Sequence, residues 1–435
     1  MNQSFVLTLK LNTNSSDERI LALRFYDASL MKNRLISHAK KRLSSMRQDK
    51  RYRALMDERF ALKGKDDPVS KHRRAEIGEE LSSIRKSYGL SEYQFHEWIK
   101  IQQHRYKNHI DSLTAQKIST RVWRSVESVL FRKGKTVHFQ KLNDLLSLEG
   151  KNNTSGMRFK NGRLYWNGLC IQPQINRKDC YATEALNHRV KYCRIVRMPM
   201  GVSYHYYLQL VLEGVPPRKH SFIDGRVGID QGASSEAVFS EHGCILTEVA
   251  FDRKPIERKV RKLQRKMDRS RRINNPDHYN MDGTIKKTGK PWFNSKNYKR
   301  DCMRLKTIRR KNAAFVHQSE EILANEILCY HGSDVITEKM NYKALQKRSG
   351  KDSVTKKGKK VSKKRFGKSL AAHAPARFMS VLERKLNYIN KTVNYVNTWK
   401  FKASQYDHVV GDYDKVPLSC RSKMVGTNKV QRDLY

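Results

Sequence analysis

Basic side chains outnumber acidic ones so far that the chain carries a formal net charge of +47, the difference between 89 Lys plus Arg and 42 Asp plus Glu. Charge of one sign at this density repels itself and disfavours a compact state unless a polyanion neutralises it. A solvated helix face accounts for an excess of a few charges, not for one of this size. The balance points to a long polyphosphate partner. A membrane is the rival surface, but no apolar run approaches the ~18–20 residues of a spanning helix. The chain opens on alternation instead, with Phe5, Leu7, Leu9 and Leu11 on one face of a predicted strand. It lacks the basic-then-apolar layout of a signal peptide.

Seven cysteines, none in a CxxC pair, are scattered along the 435 residues. That set predicts reduced thiols, a cytoplasmic location and no zinc site. No GxxxxGK[ST] loop is present, so no ATP-driven step is expected.

Helical periodicity sets in after Ser16-Asp17-Glu18 and continues to about Leu130, and Ser91 and Gln94 have the spacing of a capping box. From about Val137 the texture changes to short alternating runs punctuated by Gly and Asn, with Asn161-Gly162 as a hairpin signal. These runs predict a small β-barrel or sandwich over 137–222, completed by the strand in 1–15. The helices of 16–136 would then be inserted between its first and second strands. Pro216-Pro217 and Asp224-Gly225 mark a boundary, and 223–398 reads as an α/β domain. Basic helices are predicted over about 253–272 and 296–330, joined by a polar link, and another helix over about 375–400. The Lys-rich stretch 346–368 predicts a loop ordered only by nucleic acid. The expected fold class is multidomain α+β.

Val227-Gly228-Ile229-Asp230 is a buried-strand signal ending in an acid, and Asp334-Val335-Ile336-Thr337-Glu338 is a second one more than 100 residues later. An acid at one strand end is usually structural. Two in order within a chain this basic are more persuasive, because phosphodiester cleavage with two divalent ions about 3.5–4 Å apart needs several converging carboxylates. Mg²⁺ (or Mn²⁺) accepts carboxylates plus waters without an all-protein cage. Asp224 precedes Asp230 by six residues, but its Asp-Gly context favours a turn. The row Arg258, Lys262, Arg265, Lys266 and Arg269 is too dense for a plain solvated face and suits a phosphate backbone.

Three segments carry a resemblance: Gly228-Ile229-Asp230-Gln231-Gly232, Thr337-Glu338-Lys339-Met340-Asn341 and Val430-Gln431-Arg432-Asp433-Leu434-Tyr435. They resemble the split RuvC motifs of transposon-encoded TnpB nucleases and of the compact type V CRISPR effectors. The resemblance implies an N-terminal wedge β-barrel (1–15 and 137–222) with a helical recognition insertion (16–136). An RNase H-like RuvC nuclease domain (223–398) would follow, then a target-nucleic-acid-binding-like insertion without a zinc ribbon (399–429). The third motif (430–435) would be cut short, since in relatives a helix continues beyond it. On this resemblance Asp230, Glu338 and Asp433 hold two Mg²⁺ (or Mn²⁺) ions, with Arg432 a candidate for the scissile phosphate. Guide RNA and double-stranded target DNA are the implied partners, with monomer or dimer on one guide and a short flanking motif read by the protein. Tyr165 and Trp166 are candidates to stack on unpaired guide bases, with core packing expected for at least one of them.

The expected function is therefore RNA-guided DNA cleavage. The alternative is a guide-RNA-dependent, repressor-like DNA binder with weak or lost cleavage. An RNA-packaging protein would explain the charge but not the acid-bearing strands, and a transposase would not need a guide.

Overall fold

The structure, a computed structural model, describes residues 3–131, 134–176, 178–286, 288–346, 366–397, 400, 405–414 and 420–435, with the backbone of 353–354 and 360–361. It divides into two compact units, 1–198 with 203–217 and 199–202 with 218–435.

In the first unit, strand β1 (Ser4–Lys10) buries Phe5, Leu7 and Leu9 while its alternate residues face out. Five helices follow: α1 (Ser15–Gln48), α2 (Lys50–Ala61), α3 (Pro68–Ser87), α4 (Glu92–Arg105) and α5 (Ser112–Leu130). Each starts where a side-chain oxygen accepts from an otherwise orphaned backbone N–H, at Asn14, Asp49, Asp67, Ser91 and Asp111. The strands after them are short: β2 (Ser147–Glu149), β3 (Arg158–Lys160), β4 (Arg163–Trp166) and β5 (Leu169–Ile171), then helix α6 (Cys180–Ala185). Long strands β6 (Val190–Met200) and β7 (Ser203–Glu213) end the unit. Asn161-Gly162 and Asn167-Gly168 both take positive φ, the geometry that closes two-residue hairpins between β3, β4 and β5.

The pairing does not close a barrel among the described residues. One sheet runs β1-β7-β6-β2 and the other β3-β4-β5, linked by a bridge between Leu11 and Pro173. Helix α5 holds the edge strand β2 instead: Arg121 donates to Ser147 O at 3.0 Å, and Lys117, Arg121 and Arg194 converge on Glu149. Of the two rings considered for base stacking, Trp166 is the one that packs in the core, as expected for at least one of them. It is 1% exposed, its indole N–H donates to Asp111 Oδ2 at 2.7 Å, and the Arg24 guanidinium lies 4.5 Å over its ring. A ring so enclosed is not available to stack on a base. Tyr165, on the other face of β4, is half-buried and remains a candidate.

The second unit is built on a five-stranded sheet ordered β10-β9-β8-β11-β14. Strands β8 (Arg226–Gln231), β9 (Ser235–Ser240) and β10 (Gly243–Glu248) are antiparallel neighbours. Helices α7 (Glu257–Ile273) and α8 (Lys296–Tyr330) lead to β11 (Asp334–Glu338), which pairs parallel with β8. Beyond it lie the one-turn α9 (Tyr342–Gln346), the strand pair β12 (Ser353–Val354) and β13 (Lys360–Val361), then α10 (Gly367–His373) and α11 (Pro375–Asn387). Most of the Lys-rich stretch 346–368 lies outside the described residues. Helix α11 stops at Asn387, short of the expected 400, because Asn390 takes φ 58° and turns the chain into β14 (Asn394–Val396), parallel to β11. Ile389 and Val393, counted on sequence as helix positions, pack against the same core from the turn. The remaining strands form hairpins, β15 (Tyr406–Asp407) with β16 (Asp412–Tyr413) and β17 (Ser422–Val425) with β18 (Asn428–Gln431).

One sheet face is covered. Val227, Ile229, Val238 and Val335 point into a core completed by Leu323, Ile327 and Leu328 of α8 and by Phe378, Leu382 and Leu386 of α11. The strand period of two then sends Gly228, Asp230 and Phe239 to the opposite face, where Phe239 is 59% exposed.

Candidate active site and nucleic-acid interface

Parallel pairing of β8 and β11 sets Thr337 beside Ile229. The next residues along, Asp230 and Glu338, therefore emerge side by side at the carboxyl ends of adjacent parallel strands, on the face that α8 and α11 leave open. In open α/β sheets this end is where ligands bind. The turn after β18 brings Asp433 close enough for its charge to be felt at Asp230. The Asp230 carboxyl is pushed up to about 6, by desolvation first, then by Glu338 and Asp433, with Arg432 pulling the other way. Solvent still reaches the side chain from outside. Repulsion among the carboxylates is thus the part of the shift that a cation would relieve.

Asp433 is committed elsewhere, paired with Arg421 at 3.2 Å and with Arg432 at 3.3 Å. Three acids are brought into electrostatic reach, yet no group of three or more His, Cys, Asp or Glu among the described residues stands at metal-ligand spacing. The donor set itself, all carboxylate oxygen, suits Mg²⁺ or Mn²⁺. Asp224 stands just before the bend at Gly225, salt-bridged to Lys391 at 2.6 Å.

A polar layer that the sequence reading missed lies on the covered face, one residue from each central acid. Thr337 Oγ1 donates to Ile229 O at 2.7 Å, Gln231 Nε2 donates to Thr337 Oγ1 at 2.8 Å, and the Tyr342 hydroxyl donates to Gln231 Oε1. These bonds lock β8 to β11 where the two acids leave the sheet. Glu236, opposite Gln231 on β9, is 0% exposed, and neither of its carboxyl oxygens has a hydrogen-bond partner. Desolvation, then the charge of Asp230, raises its pKa well above the usual carboxylate range. The signal was present: an acid at an inward position of an apolar strand, in phase with Val238.

Helix α7 buries none of its residues. Arg258, Lys262, Arg265 and Arg269 are exposed without a carboxylate partner among the described residues, whereas Lys266 is paired with the buried Asp301 at 2.9 Å. Four of the five predicted contacts on this helix are therefore open to a phosphate backbone. The link after α7, expected to be merely polar, carries an aromatic knot. His278 stacks 4.2 Å from Trp292, and the Arg271 guanidinium lies 4.4 Å from the same ring.

Solved structures resembling this chain include two cryo-EM structures. One is a Cas12f1–sgRNA–target DNA complex, 10% identical, covering 95% of this chain and 92% of that one, with a TM-score of 0.42. The other is a CRISPR-Cas12f ternary complex, 11% identical, covering 94% and 91%, with a TM-score of 0.24. No protein-family profile and no curated protein matches the chain. At these TM-scores the likeness carries no conclusion about activity, so the site has to be argued from its own residues. No helix among the described residues is long and apolar enough to cross a membrane.

Proposed function

We propose that this chain is an RNA-guided DNA endonuclease, in which guide RNA pairs with target DNA and a RuvC-type carboxylate site hydrolyses the DNA. The observation that carries the reading is the side-by-side placement of Asp230 and Glu338 at the ends of adjacent parallel strands. Asp433 is near enough that its charge and that of Glu338 add to the desolvation that pushes the Asp230 carboxyl up to about 6. The sheet order, with the two central acids on adjacent parallel strands, supports an RNase H-like arrangement. The net charge of +47 and the open basic row on α7 suit a guide–target duplex held by its backbone. Asp230, Glu338 and Asp433 would hold the divalent ions. When bound, such ions activate water and stabilise the leaving oxygen. The chain's own part is to set two carboxylates at fixed strand ends and to keep Arg432 beside the third.

A second reading, a guide-dependent DNA binder that cuts weakly or not at all, is favoured by one observation. Asp433 is held by two arginines and does not complete a metal-spaced group.

The deciding experiment is co-purification of the protein with RNA, followed by incubation with Mg²⁺ and plasmids carrying randomised target flanks. A discrete RNA and cleavage abolished by Asp230→Ala support the nuclease. The same RNA with target binding and no cleavage supports the binder. Absence of a discrete RNA overturns both.

A further inference from the structure

A cavity of about 340 Å³ opens in the helical unit between α2, α3 and the end of α5, large enough for a small ligand. Its walls are of two kinds. Tyr52, Phe60 and Phe131 supply rings, and Arg59, Lys63 and Arg85 supply cations. Phe60 is 65% exposed and Phe131 56%, so two large apolar rings stand in water at its mouth. No acid is among its lining residues, and of the acids on these helices Glu58, Glu76 and Glu80 are taken by Arg73, Glu80 also by Arg51. Arg59, Lys63 and Arg85 have no carboxylate partner among the described residues. Arg85 is held in place by its Nε–H bond to Leu81 O at 2.9 Å, with its guanidinium 5.3 Å from the Phe131 ring. Burial, together with nearby Arg59, lowers the pKa of Arg85. Arg74, also in the wall, is spent on the backbone, donating to Lys65 O at 2.7 Å and Ser70 O at 3.2 Å.

We propose that this cavity binds a single unstacked nucleotide, its base against Phe60 and Phe131 and its phosphate on Arg59 and Arg85. Cations alone would serve any anion. Rings at the mouth of a cationic cavity add a demand for a flat aromatic group joined to the anion, and a nucleotide has both. A chain of net charge +47 meets that chemistry most often as one residue of a longer strand. The inference does not depend on whether the carboxylate site cuts.

The test uses the full chain and a short single-stranded oligonucleotide bearing one 2-aminopurine among abasic sites, compared with an all-abasic strand. The 2-aminopurine should be quenched on binding. Phe131→Ala and Phe60→Leu, the latter keeping apolar bulk while removing a ring, should each weaken binding of the base-containing strand roughly 10-fold and leave the abasic strand unchanged. Arg85→Gln should weaken both strands, and Lys71→Gln, the same loss of charge outside the cavity, should weaken both less. Competition by a nucleoside monophosphate identifies a free nucleotide as sufficient, and failure to compete identifies the strand as the source. Equal loss for both strands in the ring variants, an unquenched probe, or competition by inorganic phosphate as strong as by nucleotide would overturn the proposal.

Discussion

Replacing Asp230 by Asn should make the protein more stable, although it removes a residue placed at the centre of the site. In the fold this carboxyl titrates at about 6, against about 3.9 in an unfolded chain. Two pKa units are worth roughly 3 kcal/mol unscreened, and because solvent reaches the side chain, about 1 kcal/mol is the realistic figure. A carboxyl whose pKa is raised by folding binds its proton more tightly in the fold. The destabilisation is therefore absent below the unfolded pKa, grows between about pH 4 and pH 6, and is complete above. Asp230→Asn keeps the shape and removes the charge. Without divalent ions near neutral pH, calorimetry should show the unit carrying the variant melting about 2–4 °C higher. The difference should shrink as the pH falls below about 6 and close below about pH 4. Added Mg²⁺ should raise the midpoint of the native chain and not that of the variant. A variant that melts lower at neutral pH, or whose gain is the same at every pH, would refute the reading of an Asp230 carboxyl raised by desolvation and by the charges of Glu338 and Asp433.

Glu236→Leu should also stabilise, since it removes a buried carboxyl whose two oxygens have no hydrogen-bond partner. Its raised pKa predicts that the native chain loses stability with rising pH from about 4.3 upward, a slope that melting curves of the variant should lack in part. Gln231→Leu leaves Thr337 Oγ1 without its donor and frees Tyr342, so it should cost roughly 1–3 kcal/mol in denaturant unfolding. Any nuclease activity should fall with Gln231→Leu while duplex affinity in a filter-binding assay holds. Arg265→Gln should weaken nucleic-acid binding uniformly across sequences and lower the salt slope by about one, whereas Lys266→Gln should also destabilise by removing one of the two cations, Lys266 and Arg304, that pair with the buried Asp301.

What could be read in advance was what depends on short-range pattern. The alternation of Phe5, Leu7 and Leu9, the Asn161-Gly162 hairpin and the 296–330 helix follow from local periodicity and turn chemistry. The acids at the ends of β8 and β11 were visible because two apolar runs, in order, each end in an acid within a chain this basic. Core packing was expected for at least one of Tyr165 and Trp166, but the partners that enclose Trp166 were not legible, because Asp111 and Arg24 lie 55 and 142 residues away. The same holds for the helix predicted to about 400, where a left-handed Asn390 and pairing with β11 override helical periodicity. Gln231 and Glu236 were passed over for a different reason. Their significance lies in which partner each meets or lacks across the sheet, and a single sequence shows the position but not the partner.

The parallel seam between β8 and β11 has a kinetic consequence. Ile229 and Thr337 are 108 residues apart, and the chain between them contains the whole basic row of α7. Strands β8, β9 and β10 can pair as local hairpins within microseconds. Adding β11 must close a long loop against its own positive charge, and non-local pairing of this kind is the slow class of folding event. The two central carboxylates should therefore meet late. Salt, or a strand of nucleic acid lying along α7, should hasten that step by screening the loop, so the polymer that the site is proposed to cut would also help to assemble it.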